Sequence, residues 1–172
     1  HGARPGPPEG MFAEPDASKA YDRMVQAVVD VRQVIDLAES RKDLDTSKGV
    51  YLVGYSMGGW LAALAGGADR RVSAMVLMVP ISEATPLNGK AQAPPKDERK
   101  PLLDTYPVLR PTGAIAHFGP RPVLIQAGEL DGYLRKSAVD ALLAAARQPK
   151  ELRWYPCGHI LYDKAIAEAA EW

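Results

Sequence analysis

Four short apolar runs, separated by helical patterns and connections, constrain this chain more than any other feature of its sequence. They are Val50 to Val53, Val72 to Val79, Val123 to Gln126 and the weaker Glu151 to Tyr155. Apolar runs without polar alternation are typical of strands covered on both faces. The chain reads helix, strand, helix, strand, loop-rich segment, strand, helix, strand, helix. This order predicts an α/β fold with a mainly parallel sheet of about four strands and helices on both faces.

Helical patterns fill most of the intervals between these runs. In the first of them, apolar residues recur at spacings of three and four and form a single stripe. The pair Gly66 and Gly67 predicts the end of the second helix. The predicted helices cover Ser18 to Ser40, Trp60 to Ala65, Ser137 to Arg147 and Asp163 to Trp172.

One domain is expected over residues 1–172, a length that suits a single substantial core. Residues 1–17 are rich in Gly, Pro and Ala and are predicted to be loop. Residues 83–111 hold many of the prolines and a charged stretch. This segment is either a solvated surface excursion or a lid over a site, since it follows the carboxyl end of a strand.

Charge and hydropathy argue against two kinds of partner. Lys and Arg number 21, as do Asp and Glu, so the net charge is zero, whereas nucleic-acid binding favours a clustered positive excess. No apolar run approaches the length that crosses a bilayer, so no membrane partner is expected. Zero net charge makes self-association easier. The single cysteine, Cys157, forms no intrachain disulfide and implies no oxidising compartment, which leaves the location open and favours the cytoplasm.

The segment Gly54-Tyr55-Ser56-Met57-Gly58 follows the first apolar run and precedes a helical pattern. This is the G-x-S-x-G pattern of a nucleophile elbow, in which a serine occupies a sharp strand-to-helix turn. Small residues two positions before and after the serine let strand and helix approach closely, and Gly59 adds room. Ser56 would then project above the sheet, where the Met57 N–H points at a developing oxyanion. The alternative is a plain glycine-rich turn with a surface serine.

A serine hydroxyl is a weak nucleophile, so it needs a base, usually a histidine oriented by a carboxylate. Asp131 follows the third apolar run in Gly-Glu-Leu-Asp, and His159 follows the fourth in Tyr-Pro-Cys-Gly-His. Both would lie at the carboxyl edge of a parallel sheet, the same edge as Ser56. This predicts Asp131 as the acid and His159 as the base. Glu129 is the alternative acid, and a solvated turn or surface position is the alternative for each.

Residues beside these three have two interpretations each. His117 precedes the third run and is interpreted as structural. Cys157 is interpreted as a packing residue, since a thiol nucleophile is not expected while Ser56 occupies the elbow. Four side chains beside the predicted loops either line a substrate pocket or belong to the ordinary core: Tyr55, Trp60, Tyr133 and Leu134.

Together these segments resemble the α/β-hydrolase superfamily, and within it the dienelactone hydrolase-like esterases and the related acetyl xylan esterase and prolyl oligopeptidase groups. The resemblance implies Ser56 as nucleophile, Asp131 as acid and His159 as base, with no metal and no organic cofactor. Dienelactone hydrolases proper have cysteine at the elbow, so the serine favours an esterase. The motifs that carry the resemblance are Gly-Tyr-Ser-Met-Gly-Gly at 54–59, Pro-Arg-Pro-Val-Leu-Ile at 120–125, Gly-Glu-Leu-Asp at 128–131 and Gly-His at 158–159.

The sequence also departs from that family, because a complete fold of this kind has more strands than the four indicated here. The expectation is a truncated fold that lacks the N-terminal strands and the loop that gives a second oxyanion donor. The strand at Val50–Val53 would then be an edge with unpaired backbone groups. Three alternatives would account for such an edge. The chain is a fragment of a longer protein, it forms a homo-oligomer through that edge, or helix 18–40 and residues 1–17 cover the edge. The first two are favoured.

The leading functional hypothesis is a carboxylesterase that cleaves a small-molecule ester through an acyl-serine intermediate. A prolyl oligopeptidase-like peptidase or a thioesterase would use the same three residues. A different class is a non-catalytic, hydrolase-like scaffold that acts by protein contact. The missing donor loop and the exposed edge favour the scaffold, whereas the presence of nucleophile, acid and base together argues against it.

Overall fold

One parallel sheet organises the molecule. The structure, a computed structural model, describes residues 16–82 and 102–172. Four strands pair in the order β1-β2-β3-β4, and every pairing is parallel. The predicted α/β architecture is therefore confirmed. The strands are β1 (Val50–Tyr55), β2 (Val72–Met78), β3 (Val123–Gly128) and β4 (Lys150–Tyr155).

Six α-helices and one 3₁₀ helix surround this sheet in the described residues. The first is capped by Asp16, whose side chain accepts hydrogen bonds from the N–H groups of Ser18 and Lys19. The α-helices are α1 (Ala17–Ser40), α2 (Met57–Ala68), α3 (Leu102–Thr105), α4 (Pro111–Phe118), α5 (Lys136–Ala145) and α6 (Asp163–Glu171), and the 3₁₀ helix covers Pro107–Leu109.

Helix α2 does not stop at the two glycines, as the sequence had predicted, but continues to Ala68. The glycines serve close packing instead. A Cβ on Gly66 would lie 2.3 Å from the Met75 sulfur, and one on Gly67 would lie 2.4 Å from the Ala114 carbonyl oxygen. Both positions therefore exclude a side chain because β2 and α4 press against this helix.

Helix α4 was not predicted, since its segment was interpreted as loop. Pro111 occupies the first helical turn, where its missing N–H would have had no partner in any case. Ile115 and Phe118 are fully buried and attach the helix to the core. Proline and glycine within eight residues obscure this apolar spacing in the sequence.

The predicted lid or surface excursion at 83–111 is described only in part, because residues 83–101 lie outside the described residues. In the remainder, Leu103 and Leu109 are buried in a cluster with Met24 and Trp60. This second cluster joins α1, α2 and α3 and is separate from the main core around β2 and β3. The part after residue 101 is therefore attached to the body of the fold.

The two end strands differ from the two inner strands in exposure. Every residue of β3 is buried, as expected of a strand covered on both faces. In β1, Tyr51 is 65% and Val53 63% exposed, so α1 does not cover this face of the strand. Strand β1 is an edge among the described residues. Oligomerisation through Val50–Val53 stays a prediction.

In the described part of the chain, no helix has the length and hydropathy to cross a membrane.

Candidate active site

Ser56 lies between the end of β1 and the start of α2, in a strained backbone conformation. Its φ is 53° and its ψ −113°, a backbone conformation that a residue with a Cβ rarely adopts. The Ser56 N–H donates to the Met78 carbonyl oxygen at 2.8 Å, and its own carbonyl oxygen accepts from the Ile81 N–H at 3.2 Å. Strand β2 and the chain that follows it thus hold the strained turn on both sides.

The glycines around Ser56 have different reasons to be glycine. A Cβ on Gly54 would lie 2.2 Å from the Gly58 carbonyl oxygen, which is far inside van der Waals contact. A Cβ on Gly59 would lie 2.9 Å from the Pro80 Cβ, whereas one on Gly58 would meet no described atom within 4 Å. The expected close approach of strand and helix therefore depends on Gly54, while Gly58 contributes its backbone to the contact.

Two hydrogen bonds join Ser56, His159 and Asp131 into one array. His159 Nε2 lies 2.9 Å from Ser56 Oγ, and His159 Nδ1 lies 2.8 Å from Asp131 Oδ2. The Asp131 side chain is completely buried and that of His159 is 24% exposed. A carboxylate beside Nδ1 favours the tautomer with its proton there, which leaves the Nε2 lone pair to accept the serine proton. The structure thus brings the three predicted residues within hydrogen-bond distance.

Asp131 is fixed by its own loop. Its second carboxylate oxygen, Oδ1, accepts from the Tyr133 N–H at 2.8 Å and from the Leu134 N–H at 3.1 Å. These bonds orient the carboxylate so that Oδ2 faces the imidazole. Glu129, the alternative acid, is exposed, and Asp131 is the carboxylate hydrogen-bonded to His159.

The four predicted pocket walls divide into two pairs. Trp60 is fully buried and donates its indole N–H to the Leu109 carbonyl oxygen at 2.7 Å, and Leu134 lies in the main core. Both therefore fit the core interpretation. Tyr133 is half exposed with its ring 5.1 Å from the His159 ring. Tyr55 is also partly exposed, and its hydroxyl contacts the backbone at His159 and Leu161.

The N-terminus of α2 lies directly beside the Ser56 hydroxyl. Met57 is the first helical residue, and the N–H groups of a first turn have no partner within the helix. The helix dipole adds partial positive charge at this end. An anion bound next to Ser56 would therefore find the Met57 N–H as a donor.

The other two side chains singled out from the sequence lie in settings that suit a structural role. Burial raises the pKa of the Cys157 thiol, and the nearby carboxylates of Asp131 and Glu129 raise it further. A raised thiol pKa leaves less thiolate, so the thiol is a poorer nucleophile. His117 lies in the last turn of α4, next to the amino end of β3 and therefore away from Ser56.

Two features of the site gave no signal in the sequence. Val79, directly after β2, has a φ of 41° although it is β-branched and precedes a proline, a context that favours extended backbone. Its N–H donates to the Gln126 carbonyl oxygen at 2.7 Å, so the sheet holds this conformation. The second is the Tyr55 hydroxyl, whose partners lie more than 100 residues away.

Among the described residues, no group of three or more His, Cys, Asp or Glu side chains could hold a metal ion.

Comparisons with known proteins agree with this fold. A family model described as the alpha/beta hydrolase family matches residues 1–172, and no curated protein sequence matches the chain. Acetyl xylan esterase 1 from Thermoanaerobacterium sp. aligns with a TM-score of 0.72 and 18% identity over 99% of this chain and 59% of its own. The acetyl xylan esterase from Paenibacillus sp. R4 aligns with a TM-score of 0.69 and 18% identity over 98% and 57%.

A third solved structure, a candidate dienelactone hydrolase from Klebsiella pneumoniae, aligns with a TM-score of 0.60 and 16% identity over 86% of this chain and 58% of its own. This chain therefore spans a little over half of the length of each of these three proteins. Identities this low show a shared fold. That shared fold, together with the family match, confirms the resemblance inferred from the sequence.

Proposed function

This chain belongs to the alpha/beta hydrolase family, and we propose that it is a serine hydrolase that cleaves small carboxylic esters through an acyl-serine intermediate. In this proposal Ser56 is the nucleophile, His159 the base and Asp131 the residue that orients the base. The observation that carries it is the continuous hydrogen-bonded array, with 2.9 Å from Ser56 Oγ to His159 Nε2 and 2.8 Å from His159 Nδ1 to Asp131.

The first half of the reaction transfers the acyl group to the enzyme. His159 Nε2 accepts the hydroxyl proton as Ser56 Oγ forms a bond to the carbonyl carbon, and the carbonyl oxygen becomes an oxyanion. The Met57 N–H donates to that oxygen. When the tetrahedral intermediate collapses, the bond to the alcohol oxygen breaks and His159 returns the proton to the leaving alcohol.

The second half releases the acid. A water molecule gives a proton to His159 Nε2 and attacks the acyl carbon, and the second intermediate collapses with the proton returned to Ser56 Oγ. Asp131 stabilises the imidazolium formed in each half without taking its proton. Loss of one oxyanion donor lowers kcat by about 10²–10³-fold in enzymes of this kind, which is the size of the contribution that we expect from the Met57 N–H.

The choice of substrate follows from the neighbours. Two of the similar structures are acetyl xylan esterases, which supports acetyl esters as the first substrates to test. An amide and a thioester of the same acyl group would distinguish the esterase from a peptidase or a thioesterase, because those enzymes would use the same three residues.

The deciding experiment is covalent labelling of the serine. We expect a fluorophosphonate probe to label the wild-type protein at Ser56, and p-nitrophenyl acetate to be hydrolysed above the buffer rate. The Ser56→Ala variant should lose both, while Ser47→Ala, a change at an exposed serine before β1, should keep both. A wild-type protein that is neither labelled nor active would contradict the proposal and favour the scaffold hypothesis.

A further inference from the structure

We propose that Tyr55 is a positioning residue that holds the His159 loop above Ser56, an inference that rests on the proposed function of that site. Tyr55 is the last residue of β1 and is bonded directly to Ser56. Its hydroxyl donates to the His159 carbonyl oxygen at 2.6 Å and accepts from the Leu161 N–H at 2.9 Å. A single side chain thus bonds to the backbone at two points of the loop that carries the base.

The need for such a contact follows from the order of the strands. Ser56 follows β1 and His159 follows β4, and these strands lie at opposite ends of the sheet. Three strand spacings separate them, or about 14 Å. The segment after β4 must therefore cross above β3 and β2 before the imidazole can reach Ser56. It does so without helix or strand structure between Tyr155 and Asp163.

The two hydrogen bonds fix the direction of the loop as well as its place. They join the hydroxyl to residues on either side of Ile160, which is 82% exposed and so adds little packing of its own. A loop held at residues 159 and 161 has little freedom to rotate between them. The direction in which the His159 side chain leaves the backbone is set accordingly.

Because Tyr55 and Ser56 are adjacent in the chain, nucleophile and base are both positioned from the same end of β1. Asp131 orients the imidazole from the other side through Nδ1. The ring of Tyr55 lies 6.2 Å from that of His159, nearly perpendicular to it. Misplacement of a reacting group by about 1 Å can lower a rate about 100-fold, so a contact that fixes His159 against Ser56 acts on the chemical step.

This role differs from that of a pocket wall in what it changes. A wall that binds substrate equally in ground and transition states alters KM, whereas a group that acts through His159 alters kcat and acts only while His159 is present. The Tyr55→Phe variant removes the hydroxyl and keeps the ring. Tyr51→Phe is the matched control, because Tyr51 lies four residues earlier on the same strand and is exposed.

With p-nitrophenyl acetate, we expect Tyr55→Phe to lower kcat about tenfold through loss of both hydrogen bonds, with KM within about twofold of wild type. In the His159→Ala background the same change should alter the residual rate less than about twofold, since its target is gone. Tyr51→Phe should leave both constants unchanged. An unchanged kcat, a rise in KM alone, or an equal loss in both backgrounds would overturn the proposal.

A second readout does not depend on turnover. In ¹⁵N-histidine-labelled protein, the His159 Nδ1 proton should give a low-field resonance that is absent from His159→Ala. We expect it to shift or broaden in Tyr55→Phe and to stay in place in Tyr51→Phe. A spectrum unchanged by Tyr55→Phe would overturn the positioning role. A shifted resonance in a protein without hydrolase activity would instead contradict the proposed function and leave the positioning role standing.

Discussion

The two edges of the sheet use polar side chains in opposite ways. At the carboxyl edge, Ser56, Asp131 and His159 form the site edge. At the amino edge, Asp69, Arg71 and Arg121 form what we call the anchor edge. Asp69 is buried and accepts from Arg71 Nε at 2.9 Å and from Arg71 Nη2 at 2.7 Å. The guanidinium of Arg121 donates to the carbonyl oxygens of Phe118, Asp69, Val72 and Gly66.

The two edges differ in whether their polar groups can exchange a hydrogen-bond partner. At the anchor edge the charged groups bond to each other and to backbone carbonyls, so they stabilise the fold and have no proton to transfer. At the site edge the Ser56 hydroxyl and the His159 Nε2 share one hydrogen bond, whose proton the proposed reaction would transfer. Helix α2 joins the two, since it begins after Ser56 and is capped at Asp69. Changes at the site edge should affect activity, and changes at the anchor edge should affect stability.

The sharpest test of that division is Asp131→Asn. The amide oxygen can keep the hydrogen bonds from the Tyr133 and Leu134 N–H groups, which places the amide NH₂ toward His159 Nδ1. That donor favours the tautomer with its proton on Nε2, where it no longer accepts from Ser56. We expect kcat to fall by about 10³–10⁴-fold, with little change in the midpoint of urea unfolding. On the same preparation, p-nitrophenyl acetate hydrolysis measures kcat and urea denaturation measures the midpoint.

Glu129→Gln is the control for this prediction, because Glu129 is the exposed carboxylate two residues earlier. It should leave kcat within about twofold of wild type. If the two variants lost activity equally, Asp131 would not be the residue that orients the base.

Gly54→Ala should be an exception to this division, because it is a change at the site edge that lowers stability as well as activity. The new Cβ would lie 2.2 Å from the Gly58 carbonyl oxygen and 2.7 Å from the Gly59 nitrogen, and neither backbone group can rotate away. We expect a loss of about 3 kcal/mol or more in the free energy of unfolding, comparable to a severe overpacking change, together with loss of activity. Urea denaturation measures the first and ester hydrolysis the second.

The matched variant is Gly58→Ala, where the added Cβ meets open space among the described residues. Alanine is the better helix former by about 1 kcal/mol, so stability should be unchanged or slightly raised. Equal destabilisation by the two substitutions would show that the elbow does not depend on the close approach at Gly54.

These cases also show how much of the fold and of the candidate site could be predicted from the sequence. All four strands lie within two residues of their predicted bounds, because apolar runs report burial directly. The three residues of the array were identified because they follow strands that share one edge. The strained conformation of Ser56 could be predicted from the sequence, because the G-x-S-x-G pattern marks it. That of Val79 could not, because a valine before a proline gives no sign of a positive φ. The hydrogen bonds of the Tyr55 hydroxyl also gave no sign in the sequence, because they depend on where a loop 104 residues away crosses the sheet.

The smallest expected effect lies at the anchor edge, where Asp69→Ala should lower stability and leave the rate per folded molecule unchanged. The variant removes a buried carboxylate that accepts from Arg32 and Arg71, and we expect a loss of about 2–3 kcal/mol in the free energy of unfolding. Asp36→Ala removes an exposed partner of the same Arg71 and should cost about 0.5 kcal/mol. A fall in kcat of the folded Asp69→Ala protein would argue against a purely structural anchor edge.

The pH dependence of that difference tests its cause. Hydrogen bonds from Arg71 hold the pKa of Asp69 well below its ordinary value, against the opposing effect of burial. Because the folded-state pKa is the lower one, the Asp69 contribution is present above the ordinary carboxyl pKa and is lost as pH falls toward the folded-state pKa. The stability gap between wild type and Asp69→Ala should therefore be constant from pH 7 to about pH 5 and narrow progressively below it, as measured by urea denaturation at each pH. A gap that stays constant down to pH 3 would mean that packing at Asp69, rather than its charge, stabilises the amino edge.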